Sequence, residues 1–241
     1  MGSALLQKQR NKKSDLISNE LRDLLKSIGV TKKMHKNRYL FREGTEAHEI
    51  YLIQSGIVQI GKLTAEGKEL TLRICKADDI VGELTLFCDD PKYMLSSKII
   101  EAGEVLVISK DRLEQELMYN PSLTFEFMKW TSNHMRKLQS KMRDLLLNGK
   151  KGALYSTLIR LSNSYGIMQP NGILIDIVLT NSELAKFCVA TRESVNRMLS
   201  ELRKLGIVSI DDKGRITIHD LQYLRREIGC ENCPIEICNI D

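Results

Sequence analysis

Between Thr180 and Leu202 the chain runs Thr180-Asn181-Ser182-Glu183-Leu184-Ala185-Lys186-Phe187-Cys188-Val189-Ala190-Thr191-Arg192-Glu193-Ser194-Val195-Asn196-Arg197-Met198-Leu199-Ser200-Glu201-Leu202. Thr180-Asn181-Ser182-Glu183 is a capping box, in which the Thr180 hydroxyl and the Glu183 carboxylate each satisfy the other residue's backbone N–H at a helix start. A short helix to about Phe187 follows, then a three-residue break, Cys188-Val189-Ala190. Thr191 is a good N-cap for a second helix. On that second helix Val195, Met198, Leu199 and Leu202 share an apolar face, while Arg192, Glu193, Asn196 and Arg197 share the opposite one beside Thr191 and Ser194. A charged helix face is ordinarily only solvated. Here, however, Lys186, Arg192, Arg197, Arg203 and Lys204 outnumber Glu193 and Glu201, a local excess that attracts phosphate. Arginines near a helix N-terminus suit guanine O6 and N7 in the major groove, and Glu193 suits cytosine N4. Ile207 to Ile210 and Arg215 to Ile218, around Asp211-Asp212-Lys213-Gly214, complete a β-hairpin wing. The pattern predicts a winged helix-turn-helix that binds double-stranded DNA.

Working outward, a helix is expected over Ala153 to Asn163, a loop at Gln169-Pro170-Asn171-Gly172 and a strand from Ile173 to Val178. Asn148-Gly149-Lys150-Lys151-Gly152 reads as a hinge. Before it, neither Gly nor Pro occurs between Ser122 and Asn148, and Met128, Met135 and Met142 recur every seven residues. Thr131, Leu138 and Leu145 follow each by three, which makes a and d positions of a coiled-coil seam. Such a helix can pack on its own domain, but Lys129, Arg136, Lys137, Lys141 and Arg143 leave only a narrow apolar stripe, which favours a parallel homodimer. Further back, Tyr39-Leu40-Phe41, Ile50 to Ile53, Ile57 to Leu63, Leu70 to Cys75, Lys98 to Ile100 and Val105 to Ile108 are short β-rich pieces. Breaks at or near Gly44, Gly56, Gly61, Gly67, Gly82 and Gly103 suggest a β-roll.

The expected class is therefore α+β, in five parts: an N-terminal helical lead (1–32), a β-roll of sensor type (33–120), a dimerisation helix (121–148), a winged helix-turn-helix (149–224) and a cysteine tail (225–241). The length of 241 residues, 42% hydrophobic and 28% charged, suits two modest domains. Thirty-six Lys and Arg against 31 Asp and Glu give +5, which permits a polyanionic partner. No apolar run approaches a membrane span, and the basic start (Lys8, Arg10, Lys12, Lys13) leads into no apolar signal segment, so a cytoplasmic location is expected. With no nucleotide-cradling glycine motif and no paired nucleophile and base, an enzyme is not expected.

Three of the six cysteines lie in Cys230-Glu231-Asn232-Cys233-Pro234-Ile235-Glu236-Ile237-Cys238, a C-x2-C-x4-C pattern. One short loop can turn three thiolates toward a single centre, an iron–sulfur cluster or, alternatively, zinc. Thiol redox chemistry is a third use. Either metal centre wants a fourth ligand, and Asp144, Cys188, His219 and Asp220 are the candidates. Cys75, Cys88 and Cys188 otherwise read as ordinary small thiols.

A β-roll, a long helix and a winged helix-turn-helix in this order resemble the Crp/Fnr family of bacterial transcription regulators from about Lys33 to Leu224. The resemblance rests on Tyr51-Leu52-Ile53-Gln54-Ser55-Gly56, on Val81-Gly82-Glu83-Leu84 and on Thr191-Arg192-Glu193-Ser194-Val195-Asn196-Arg197. It implies that Arg192, Glu193 and Arg197 read TGTGA-like half-sites of a palindrome. Family members that bind cyclic nucleotides hold the phosphate with an Arg-Ser pair. Here that region reads Lys92-Tyr93-Met94-Leu95, and the matching helix positions are Lys141 and Met142, so no cyclic nucleotide is expected. The tail is similar to that of the Bacillus-type Fnr oxygen regulators, which implies a [4Fe–4S] cluster on Cys230, Cys233, Cys238 and Asp144. A carboxylate is a harder ligand than a thiolate, so a cluster held this way should be more easily lost. Cluster loss would then free the tail and change the angle of two DNA-reading heads. Gly166 to Gly172 resembles the loop through which some relatives touch RNA polymerase.

Overall fold

The computed structural model describes residues 17–63, 69–230 and 233–240. The first half of the N-terminal lead, the break at Gly67 and the Glu231-Asn232 spacer lie outside the described residues. The chain forms two compact units, residues 1–59 with 75–135, and residues 60–74 with 136–241.

In the first unit, helix α1 (Asn19–Ile28) is capped by Ser18, whose hydroxyl accepts from the Leu21 N–H, and buries Leu21, Leu25 and Ile28 along one stripe. The strands of the roll, of which β5 up to Ile74 and β4 from Ile60 fall among the residues of the second unit, are β1 (Val30–Met34), β2 (Tyr39–Phe41), β3 (Glu49–Ile53), β4 (Ile57–Leu63), β5 (Glu69–Cys75), β6 (Ile80–Val81), β7 (Ser96–Glu101) and β8 (Gly103–Ser109). They build two sheets, in the orders β1-β8-β3-β6 and β2-β7-β4-β5. In the first sheet β8 pairs antiparallel with both neighbours, Val107 opposite Val30 and Tyr51. Short β-branched runs bounded by turns thus become a roll, as expected, but β1 and β6 add pieces that the sequence reading did not mark. The core joins Ile50, Leu52, Ile80, Leu106 and Ile108 of the sheet to Leu21 and Leu25 of α1, and to Leu113, Leu117, Phe127 and Trp130. Each such side chain contributes about 1.5–3 kcal/mol by leaving water. Leu113 and Leu117 lie on helix α2 (Lys110–Tyr119); Phe127 and Trp130 lie on the start of α3 (Pro121–Tyr165).

The stretch labelled α3, Pro121–Tyr165, is two helical pieces that meet at a kink, because Gly149, at φ 57 and ψ −165, leaves helical geometry inside the hinge expected at residues 148–152. A left-handed φ is inexpensive for glycine, so the chain bends at this point without opening a linker. The stretch from Gly166 to Gly172 keeps the expected turn at its Pro170 end but is not loop throughout. It forms strand β9 (Gly166–Gln169), turning through Pro170-Asn171 into β10 (Gly172–Ile175), with Gln169 opposite Gly172. The strand expected to Val178 stops at Ile175. Helices α4 (Asn181–Phe187) and α5 (Arg192–Lys204), strands β11 (Val208–Ile210) and β12 (Ile216–Ile218) and helix α6 (Leu221–Glu227) complete the second unit. Its sheet runs β11-β12-β10-β9. No helix among the described residues is long and apolar enough to cross a membrane.

Candidate DNA-reading face and cysteine pocket

The capping box forms as read: Thr180 accepts from the Glu183 N–H, and Glu183 accepts from the Thr180 N–H. The Ala190 N–H reaches back to the Ala185 carbonyl at 3.0 Å and closes the break, while Val189 sits at φ 49. Thr191 caps α5 by accepting from the Ser194 N–H. On α5, Val195, Met198, Leu199 and Leu202 are buried. Thr191, Arg192, Glu193, Asn196 and Arg197 are exposed and Ser194 is partly so. Asn196 is not wholly free, because its side-chain carbonyl accepts from the Asn181 amide at 3.2 Å. Lys186 ion-pairs with Glu69. The wing turn is organised by Asp211, which accepts from the backbone N–H of Lys213 and Arg215 and from the Arg215 guanidinium. These bonds hold its carboxyl below the usual range.

On the long helix Met128, Met135 and Met142 are 61%, 41% and 49% exposed, whereas Thr131, Leu138 and Leu145 are half-buried. Trp130, Lys137 and Asp144, also seven apart, are buried. The heptad stripe therefore lies open along a single chain.

The tail folds back as a loop. Cys230 N–H donates to the Arg225 carbonyl, and Ile237 and Cys238 N–H both donate to Pro234. Ile237 and Ile240 are buried. Cys230, Cys233, Cys238 and Asp144 line one cavity of about 80 Å³ with Ser140, Arg143, Ser156 and Arg160. Asp144 lies before the Gly149 bend and Arg160 after it. One Asp144 oxygen accepts from the Arg160 guanidinium at 2.8 Å and from the Ser156 hydroxyl at 2.5 Å; the other accepts from Arg143 at 3.1 Å. Burial pushes the Asp144 carboxyl up, but these hydrogen bonds and charges outweigh it and leave it below the ordinary range. Burial raises the Cys238 thiol, and the Arg160 charge offsets part of that.

Among the described residues no three His, Cys, Asp or Glu side chains stand close enough together to hold a metal ion. In kind the donors suit an iron–sulfur cluster: three thiols of one loop and a carboxylate line one cavity beside two arginines, whose charge suits bound thiolates. The other candidate fourth ligands are engaged elsewhere. Cys188 is buried against the Thr157 hydroxyl, His219 bonds Asn171 and Ser209, and Asp220 caps α6. Sequence reasoning missed Arg160 and its partners Ser140 and Ser156. The available signal was an arginine set among the apolar residues Leu158, Ile159 and Leu161.

In the β-roll, Gly82 takes φ 88, and a side chain there would meet the Tyr93 ring at 3.4 Å. Tyr93 stacks on Phe41 at 3.9 Å and donates to the Glu49 carbonyl. In this protein, aromatic packing takes the position beside Gly82.

Residues 31–120 match the cyclic nucleotide-binding domain family, and residues 152–227 match the Crp-like helix-turn-helix domain family. The chain is 68% identical over 228 residues to the anaerobic regulatory protein of Bacillus subtilis (strain 168), covering 95% of this chain and 96% of that one. It is 30% identical to the lactate racemization regulatory protein of Lactiplantibacillus plantarum, covering 83% of this chain and 91% of that one. A solved structure of a CooA mutant from Carboxydothermus hydrogenoformans is similar in fold, with TM-score 0.76 at 21% identity over 91% of this chain and 99% of the other.

Proposed function

This chain belongs to the Crp/Fnr family of DNA-binding transcription regulators, and from that premise we propose that it is a homodimeric, oxygen-responsive regulator that reads TGTGA-like palindromes. The observation that carries the reading is the convergence of Cys230, Cys233, Cys238 and Asp144 on one cavity. A relative sharing 68% of its residues with this chain, and named for anaerobic regulation, supports it.

Arg192, Glu193, Asn196 and Arg197 stand exposed on α5 where base edges would be met, with Thr191 and Ser194 at its start near the phosphates. Met128, Met135 and Met142, with Thr131, Leu138 and Leu145, supply the seam for a second copy, so that two α5 helices can meet half-sites about 34 Å apart. Cys230, Cys233, Cys238 and Asp144 would hold a [4Fe–4S] cluster. When bound, that group supplies an oxygen-labile centre. Arg143 and Arg160 offset the negative charge of the donors. Asp144 meanwhile touches Ser156 and Arg160 beyond Gly149, so its carboxylate stitches the helix across its own bend. Tying Asp144 to the tail changes a contact that controls this bend, and through it the setting of the DNA-reading face. The β9–β10 hairpin, with Ile167 and Met168 exposed, is the surface for RNA polymerase.

The reading is tested by anaerobic purification with iron and sulfide analysis. About four iron and four sulfide per chain and a brown chromophore are expected, and Cys233→Ser should abolish both. A colourless zinc protein would contradict it.

A further inference from the structure

Arg160 is 1% exposed, yet it carries a full charge. A guanidinium removed from water is costly unless its five donors are used, and here they are spread over three separate pieces of chain. Nε donates to the Ser156 hydroxyl at 3.1 Å. Nη2 donates to Ser140 and Asp144, each at 2.8 Å, on the helix before the Gly149 bend. Nη1 reaches the carbonyls of Ile237 at 3.1 Å and Asn239 at 3.5 Å, which flank Cys238. Asn163 and Ser164 also hold the tail, through the Cys238 carbonyl and the Ile240 N–H. Arg160, however, joins the tail directly to Asp144.

We propose that Arg160 is a positioning residue: it docks the cysteine loop beside Asp144 in the metal-free protein, so that the donors are gathered before any cluster arrives. This rests on the cluster reading only for what the gathered donors are for. The docking itself needs no metal. Its consequence is that loss of a cluster does not by itself free the tail, because two backbone carbonyls remain held by the same guanidinium that holds Asp144.

The test uses the full chain, kept reduced and stripped with a chelator, and follows alkylation of each cysteine by iodoacetamide at fixed pH using mass spectrometry. Cys88 is exposed and Cys188 is buried, so one molecule carries a reference for open and for folded. Wild-type Cys238 should react well below Cys88. In Arg160→Gln the Cys238 rate should rise about fivefold or more, as a locally undocked segment would show, while Cys188 stays protected. Arg160→Lys, which keeps the charge but not the fork, should fall between. Asp144→Asn, which leaves both carbonyl bonds, should keep Cys238 slow. Unchanged Cys238 reactivity in Arg160→Gln with Cys188 protected overturns the proposal. Should Arg160→Gln unfold, seen as a reactive Cys188, Arg160→Lys decides by the same two rates: a wild-type Cys238 rate there overturns the proposal and a raised one supports it. Iron–sulfide reconstitution of the wild type is scored separately. If no chromophore forms while the alkylation pattern holds, the cluster reading fails and the docking stands.

Discussion

The side chains proposed for recognition and sensing differ in burial, and that difference says which substitutions harm the fold and which harm only function. Arg197 is exposed and packs no core, so Arg197→Ala should leave the melting temperature unchanged. It should weaken binding to a TGTGA palindrome by about 1–3 kcal/mol, read by fluorescence anisotropy at fixed salt, and relax preference at one base position. Cys188 gives a pH prediction. Burial pushes its thiol up to about 12, only partly opposed by the Thr157 hydrogen bond. The folded state therefore holds the proton more tightly than the unfolded one, whose thiol titrates near about 8.5. The associated stability is complete below that pH and is lost as pH rises toward 12. Thermal melts from pH 8 to pH 10.5 should fall more steeply for the wild type than for Cys188→Ala.

Elements were legible where local rules act. The capping box, the turn and the two-faced α5 follow from hydroxyl and carboxylate positions and from a 3.6-residue period, and the structure has them all. What escaped was set by long-range pairing. The edge strand β1 is exposed at four of its five residues and takes its register from β8, so no alternation marks it in the sequence. Gly149, by contrast, stands inside the expected hinge, where its φ of 57 parts α3 into two helical pieces. Val189 hides a strain of the same kind: a β-branched residue at φ 49, half exposed, in the helix-turn-helix break. Val189→Gly should raise stability by about 1 kcal/mol in urea titration, with DNA affinity kept. The open methionine stripe gives a further prediction at this scale. Met135→Glu places a charge in the proposed seam and should shift the protein to monomer in light scattering, with the secondary structure unchanged by circular dichroism. The candidate site was half legible. Three cysteines announced themselves by spacing, but Asp144 stood beside other candidates until the fold showed that it shares their cavity. Arg160 stood out in the sequence only as an arginine among apolar neighbours, and its tail partners, 77 and 79 residues away, were visible only in three dimensions.

At the scale of the whole molecule, the proposed function joins a winged helix-turn-helix, a bent helix with an open seam and a cysteine pocket straddling the bend, and it requires DNA affinity to be coupled to what the pocket holds. The coupling is a difference in free energy between two states of one chain, and so it must show in binding. The most direct measurement is the equilibrium affinity for a TGTGA palindrome on one anaerobic sample, taken with its absorption spectrum and iron content, and repeated after air is admitted. The account predicts a brown chromophore that air bleaches while affinity falls about tenfold or more. A chromophore that bleaches with no change in affinity, or a protein that stays colourless after anaerobic reconstitution and binds equally in air, would contradict it.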